Sequence, residues 1–473
     1  MKLTLKVERG HMMLEILKRL EYYAQVQPQS IALQIDDERL SYEALYQNIC
    51  NYTVTLPMFQ SGCRVGLLSD SPITNMTNYF IILMMGGVPC FIDAKWTQAT
   101  IDELIETYHI EYIATAIANF EPTVSYGTYD QYMNEQAKVE HILHIGFTSG
   151  TTGLPKAYYR NELSWVASYK ENEALLLNQE KILVAPGPLA HSLSLYTCIY
   201  ALYSGRTFIG QRQFNTHRLI PILRQQYSNI ALFLVPTMLH QLLTTESKLT
   251  CITSILCSGS KLSEPLFKAV TQQYEHANII EFFGTSEASF ITYNFNQTAP
   301  TRSVGQVFSN VSIQLEEQDE RHIGLLKVQS NMTYSGYVNA GVVQPQSWIE
   351  TGDYAYVKDK YLYLVSRQSD RLIIGGKNIY PSVIEQQVKL LDGIEEAVVI
   401  GEPHRQFGEI TVLIYLGDRA LTYATLKHYL QQTLSRYEIP SKILKVSKLP
   451  FTNSGKVARR KVQSLYLKGA FKS

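Results

Sequence analysis

Hydrophobic and polar positions in the first hundred residues follow two different periods. Ile31-Ala-Leu-Gln-Ile35 alternates as a strand does, whereas Ser41–Tyr52 repeats its apolar residues at helical spacing behind a serine suited to cap the first turn. Val65-Gly-Leu-Leu68 is a short apolar run of the kind a buried strand makes. A helix over 73–85 follows it, then a second such strand at Val88–Ile92. Similar runs recur at Ile142–Phe147, Ile182–Ala185, Phe208-Ile209, Ala231–Val235, Ser254–Cys257 and Ile279–Phe283. This alternation predicts parallel βαβ units. From 304 to 365 the texture becomes strand-rich with turns, at Ile313–Leu315, Leu325–Gln329, Tyr354–Val357 and Tyr361–Val365. Beyond Asp370 a new pattern begins: a helix near Pro381–Leu391, strands at Ala397–Ile400 and Ile410–Tyr415, and a helix at Tyr423–Leu434. The expectation is an α/β fold, a large N-terminal domain over 13–367 and a small α+β C-terminal domain over 368–473, divided at Arg367–Asp370.

Length agrees, since 473 residues amount to about three domains' worth at ~150 residues each. Hydrophobic residues make up 45% and charged residues 18%, the balance of a globular chain. Lys+Arg and Asp+Glu both number 42, so the net charge is zero and no overall field draws nucleic acid or anionic lipid. Any polyanion must be held by a local site. Six cysteines lie scattered without a C-x-x-C pair, which argues against zinc and against a disulfide framework and for reduced thiols in a cytoplasmic protein. The most apolar run, Tyr79–Cys90, is about a dozen residues against the ~20 a membrane helix needs, and Gly86-Gly87 with Pro89 suits a helix end entering a strand. No transmembrane segment or secretory signal is expected. Residues 1–12, ending Gly10-His11-Met12, read as a vector-derived leader and are set aside.

The sharpest local signal is Thr148-Ser-Gly-Thr-Thr-Gly-Leu-Pro-Lys156, directly after the apolar run Ile142–Phe147. It places four hydroxyls, two glycines and a lysine within nine residues. Glycines let backbone N–H groups approach a polyphosphate, hydroxyls add donors, and the lysine brings a mobile positive charge. The spacing is not that of a Walker A loop, because Gly150, Gly153 and Lys156 fall three apart, and Pro450 spoils the Gly455-Lys456 alternative. A solvated surface turn has a similar composition, so the loop gains its weight from what accompanies it.

Here the chain resembles the adenylate-forming superfamily of acyl-CoA synthetases, peptide-synthetase adenylation domains and luciferases. Thr148–Lys156 is similar to its signature loop, with Ala157 where a glycine is usual. The likeness continues in order: Phe283-Gly-Thr-Ser-Glu287, Ser303-Val-Gly305, Gly324–Tyr337, Thr351-Gly-Asp353, Arg367–Pro381 and Pro450–Arg459. The resemblance implies a large adenylation domain, a mobile C-terminal cap and an active site between the two. The implied reaction is ATP plus a carboxylate giving acyl-AMP, then acyl transfer to CoA. Magnesium would accompany ATP.

The same resemblance assigns roles. Thr148, Ser149, Gly150, Thr151, Thr152, Gly153 and Lys156 would hold the β- and γ-phosphates. Glu287 would be the Mg²⁺ ligand, a hard oxygen donor, and Thr285 and Ser286 would offer hydroxyls to the α-phosphate. Phe283 would stack on adenine, although a core aromatic looks the same in sequence. Asp353 would accept both ribose hydroxyls and Arg367 would contact the same sugar; otherwise these are a turn residue and a linker charge. Lys456 would bridge carboxylate and α-phosphate as a catalytic cation, set against its place in a basic stretch from Lys442 to Lys461. His191 would stand between the ATP and acyl pockets, or serve as an ordinary structural histidine. Val235-Pro-Thr237, Ser258-Gly259-Ser260 and Gly284 would line the acyl pocket, Gly259 and Gly284 also counting with the nucleotide set. Gly375 and Gly376 would let the backbone approach the pantetheine thiol. Ser369 departs from the Asp or Lys usual at the hinge. No acidic partner for an α-ammonium group is evident near Ala231–Thr237, which favours a plain carboxylic acid, a fatty acid first. The alternatives are an aryl-acid ligase, loading of an acyl carrier protein, and a non-catalytic nucleotide-binding module.

Overall fold

A computed structural model describes residues 13–123, 141–148, 154–245, 249–338, 347–451 and 457–471. Ser149, Gly150, Thr151, Thr152, Gly153 and Lys456 lie outside the described residues. The architecture is mixed α/β, with a large N-terminal unit and a smaller C-terminal one. The first compact unit comprises Met1–Ser312 with Val328–Ile349, and the second Ile313–Lys327 with Glu350–Ser473.

The larger sheet of the first unit is parallel from Ile31–Ile35 through Thr207–Gly210, Ile182–Ala185, Ile230–Leu234 and Ile252–Cys257 to Asn278–Thr285. Antiparallel Glu38–Ser41 borders one end, and Ser289–Phe295 pairs antiparallel at the other. Strands covered on both faces read as unbroken apolar runs, which is why Ile182–Ala185 and Ile230–Leu234 are buried at every position. In the second sheet the order is Asn119–Pro122, Tyr112–Ala116, Arg64–Leu67, Val88–Phe91, Ile142–Thr148, Lys156–Asn161. Its last pair is an antiparallel hairpin.

Two helices, Pro72–Met84 and Ser192–Tyr203, are apolar around most of their circumference and share one core with residues of both sheets. A helix apolar all round is a buried helix. Ser71 caps the first, its hydroxyl accepting from Thr74 N–H, and the Tyr79–Cys90 run resolves into the end of that helix and the strand Val88–Phe91. Among the described residues no helix is long and apolar enough to cross a membrane. All six cysteines are free thiols, five of them buried.

Buried in the same core, His144 has its Nδ1 3.4 Å from the Tyr79 hydroxyl and its ring 4.7 Å from that of Trp165. Burial, and secondarily the Arg160 charge, pull its pKa down to about 3. The sign follows from linkage: the unfolded chain takes up this proton near pH 6.5 and the folded one does not, so its stabilisation is complete above that pH and is lost on acidification. Between pH 6.5 and 4 the group should cost about 1.4 kcal/mol per pH unit. His144→Gln should flatten the pH dependence of the unfolding free energy by that slope; unchanged slopes would rule the histidine out as the cause.

In the second unit Ile349–Lys358 and Tyr361–Arg367 form a hairpin. Beyond it, Leu372–Ile374, Lys377–Ile379, Ile394–His404, Gly408–Gly417 and Lys442–Lys445 make a five-stranded sheet. Helices Pro381–Val388 and Tyr423–Leu430 bury their apolar faces against it.

Candidate active site

In open α/β sheets ligands gather outside the carboxyl ends of the parallel strands. Val235, Ser258-Gly259 and Gly284 all stand at or just beyond the carboxyl ends of neighbouring parallel strands here. So does Thr148, which ends Ile142–Thr148 in the other sheet. Thr148 and Lys156 are register partners across their hairpin, and the Thr148 hydroxyl donates to the Lys156 carbonyl at 3.4 Å. The Tyr108 hydroxyl fixes the far side by donating to the Pro155 carbonyl at 3.0 Å. Both ends of the hydroxyl-rich loop are thus held in place.

A run of backbone at 335–338 lies along the strand Lys156–Asn161. Ser335 N–H donates to the Tyr159 carbonyl (3.0 Å), Tyr159 N–H to the Gly336 carbonyl (2.9 Å), and Val338 N–H to the Ala157 carbonyl (2.9 Å). This pairing puts the Tyr337 ring beneath the Lys156 ammonium group, 5.5 Å from nitrogen to ring centre. On its other side the Tyr337 hydroxyl donates to Glu287 Oε1 at 2.5 Å. Tyr334 N–H donates to the Glu287 carbonyl at 2.7 Å. Lys156, Tyr337 and Glu287 therefore form a continuous row. Burial, reinforced by the Glu287 carboxylate, pushes the Tyr337 hydroxyl above its ordinary pKa, so it remains a donor.

Glu287 sits in the turn between Asn278–Thr285 and Ser289–Phe295. The turn is tight: Ser289 has φ 59°, and Thr285 Oγ1 accepts from Ala288 N–H at 3.0 Å. Arg160 braces it from below. Its guanidinium, buried to 2% exposure, donates to the Ser286 carbonyl and, at 2.9 Å, to the Met332 carbonyl. Desolvation lowers the Arg160 pKa, but two carbonyl partners and a nearby Tyr158 ring stabilise the charge. Burial raises the Tyr158 pKa, and the nearby Arg160 charge and the Ser192 and Ser286 side chains draw it back down. Ser192 opens the helix Ser192–Tyr203, and His191 precedes it. His191 is 58% exposed, with Nε2 3.3 Å from Asp93 Oδ2, while Asp93 is only 13% exposed. Adjacent residues on a strand face opposite ways, so Phe282 packs edge-to-face on Phe290 in the core while Phe283 is half-buried on the other side.

Thus the first unit brings together Thr148, Lys156, Ser286, Glu287 and, through Tyr158, the helix start beside His191. Tyr337, Arg160, Tyr158 and Asp93 belong to this constellation and carried no assigned role in the sequence. Tyr337 lay at the end of a recognised motif, and an arginine within the run Lys156–Asn161 was the available sign of a buried cation.

The second unit holds its own pair. Asp353 and Arg367 are register partners on adjacent strands, with Oδ1 and Nε 3.0 Å apart. Asp353 is 6% exposed and Arg367 56%, so the carboxylate is fixed while the guanidinium reaches outward. Thr351 supports both, accepting from Asp353 N–H through its hydroxyl (3.2 Å) and from Arg367 Nη1 through its carbonyl (3.3 Å). Gly375 and Gly376 form the turn of the Leu372–Ile374/Lys377–Ile379 hairpin with φ 55° and 78°. Phe407 and Tyr437, both largely exposed, flank Gly375.

Residues 20–338 match the AMP-binding enzyme family, and residues 383–456 match the AMP-binding enzyme C-terminal domain. The chain belongs to this family of adenylate-forming enzymes. It is 74% identical over 460 residues to a Staphylococcus haemolyticus protein bearing the provisional name long chain fatty acid-CoA ligase VraA, covering 97% of this chain and 100% of that one. Its fold is that of ATP-bound MatB from Rhodopseudomonas palustris, with a TM-score of 0.76, 19% identity, and 97% and 100% of the two chains covered. It is likewise that of o-succinylbenzoate coenzyme A synthetase (MenE) from Bacillus subtilis in complex with ATP and magnesium, with a TM-score of 0.74, 20% identity and 94% and 99% coverage.

Proposed function

We propose that this protein is an AMP-forming acyl-CoA synthetase that activates a fatty acid. The observation that carries the reading is the row of Lys156, Tyr337 and Glu287 beside the Thr148 hairpin. It sets a cation for the terminal phosphates next to a carboxylate suited to their counter-ion. A carboxylate oxygen of the acid attacks the α-phosphorus, the bond to the β-phosphate oxygen breaks, and pyrophosphate leaves. The thiol sulfur of CoA then attacks the acyl carbonyl and AMP departs. Both steps shift negative charge without redox chemistry, so positioned donors and cations do most of the work.

Magnesium fits the residues present. Among the described residues no group of three or more His, Cys, Asp or Glu could hold a metal alone. Mg²⁺ needs no such cage, since it is commonly held by one or two carboxylates, water and substrate phosphates. Glu287 supplies the carboxylate, and the cation would neutralise charge on the β- and γ-phosphoryl oxygens. Lys156 and the loop from Thr148 orient those phosphates. Asp353 accepts hydrogen bonds from the ribose, Arg367 contacts the same sugar, and Phe283 faces the adenine. Lys456 steadies charge at the α-phosphoryl group, and the Gly375-Gly376 turn admits the pantetheine arm.

Fatty acid is favoured because the provisionally named relative is a long chain fatty acid-CoA ligase, and because Val235-Pro-Thr237, beyond the strand Ile230–Leu234, offers no carboxylate to an amino-acid substrate. The test is pyrophosphate release with Mg-ATP across fatty, aryl and amino acids. Thioester formation is then compared between CoA and a holo acyl carrier protein. Release stimulated by long-chain fatty acids, followed by CoA thioester, is expected. Release with none of the acids would overturn the reading, and a thioester on the carrier protein alone would replace the acceptor.

A further inference from the structure

We propose that Tyr337 is a positioning residue for both charge-handling groups of the phosphate site, aiming the Glu287 carboxylate with its hydroxyl and holding the Lys156 ammonium over its ring. The inference rests on the reading of Glu287 as the carboxylate that meets Mg²⁺. A carboxylate on a free side chain samples many orientations, and a cation that retains its waters gains little from a ligand it must first immobilise. Here one oxygen is already committed. Oε1 takes the Tyr337 hydrogen at 2.5 Å, and among the described residues Oε2 takes none. A hydrogen-bonded ligand of this kind presents its remaining lone pairs in a fixed direction, and loss of such outer partners commonly costs a metal site about 10- to 100-fold.

Two further contacts fix the phenol itself. Tyr334 packs edge-on at 5.2 Å, while the neighbouring backbone bridges Tyr158 to Tyr337 across the strand. The pairing fixes the backbone from which the ring projects, and the Tyr334 ring packs against the ring itself. Its upper face takes the Lys156 ammonium, an attraction between a cation and the negative face of the ring. That contact holds the lysine short of the carboxylate. A direct Lys–Glu ion pair would neutralise both groups before nucleotide arrived; an interposed aromatic ring keeps them near each other yet separately available.

The two halves of the residue can be separated by substitution. ATP binding is measured by calorimetry in EDTA and at a series of free Mg²⁺ concentrations, for the wild-type chain, Tyr337→Phe, Tyr337→Leu, Tyr334→Phe and Glu287→Gln. Tyr337→Phe keeps the ring, so its metal-free ATP affinity should equal that of the wild type. Its Mg²⁺-dependent gain in affinity should fall by about 10-fold. Tyr337→Leu should lose that gain and also weaken metal-free binding several-fold. Tyr334→Phe, which keeps the packed ring and removes only a neighbouring hydroxyl, should preserve the Mg²⁺ profile. A full Mg²⁺ response in Tyr337→Phe with loss of that response in Glu287→Gln would overturn the positioning role alone. An unchanged response in Glu287→Gln would remove the metal reading of Glu287 and this inference with it. Equal loss in Tyr334→Phe and Tyr337→Phe would show that the effect does not belong to the Tyr337–Glu287 hydrogen bond and would overturn the proposal.

Discussion

Lys456→Ala should reduce carboxylate-dependent pyrophosphate release by roughly 10² to 10³-fold while leaving thioester formation from supplied acyl-AMP within a few-fold of wild type. The size is that of removing one fixed electrostatic donor from a charge-developing transition state. The asymmetry comes from chemistry: charge moves through the α-phosphoryl group when the acid attacks, whereas thiol attack on a preformed acyl-AMP first develops it on the acyl carbonyl oxygen. A lysine is suited to this task, being a compact charge on a long flexible stem. The substitution should not unsettle the surrounding fold. The adjoining helix Arg459–Leu467 is anchored by Arg459, whose guanidinium pairs with Glu385, donates to the Val399 carbonyl at 2.6 Å and approaches Asp370 at 3.4 Å. Parallel assays of the two half-reactions decide the matter, and equal losses in both would refute the assignment.

Gly284→Ala should be the most damaging single methyl group in the phosphate site. A Cβ built there lies 1.9 Å from the Ser289 carbonyl oxygen and 2.9 Å from its carbon. These are backbone atoms across a hairpin turn, so no side-chain rotation relieves the overlap. The turn must open, displacing Thr285, Ser286 and Glu287 together. Overpacking of this kind costs about 1–3 kcal/mol, and Mg-ATP binding should be lost nearly completely. Gly187→Ala supplies the contrast, because its Cβ would meet side-chain atoms alone, the Ser194 hydroxyl at 2.7 Å and the Met238 methyl at 3.6 Å, and no backbone. Melting midpoints and Mg-ATP binding of the two variants test this. Wild-type nucleotide affinity in Gly284→Ala would show that the turn is not held as tightly as its geometry requires.

Much of the scaffold could be read before any coordinates. Buried parallel strands announce themselves as unbroken apolar runs, as Ile182–Ala185 does, and the strand read from alternation at Ile31–Ile35 also occurs where expected. Ser41 caps the helix Tyr42–Thr55, accepting from Ala44 N–H. The helices Glu162–Leu175 and Ser192–Tyr203 were not anticipated. Each buries residues on most sides, so neither has the one-sided apolar stripe on which a periodicity argument depends. The nucleotide motifs were legible because they are contiguous. Arg160 was not, for its partners are carbonyls 126 and 172 residues away, and a carbonyl leaves no mark in a sequence. Tyr337 was hidden similarly, since nothing local couples it to a glutamate fifty positions upstream.

Asp353 and Arg367 face each other across a two-stranded ladder, and both precede the Gln368–Asp370 turn. Torsion within that turn cannot part them. In the proposed cycle, a sugar clasped by this pair stays clasped whatever the following segment does between one half-reaction and the next.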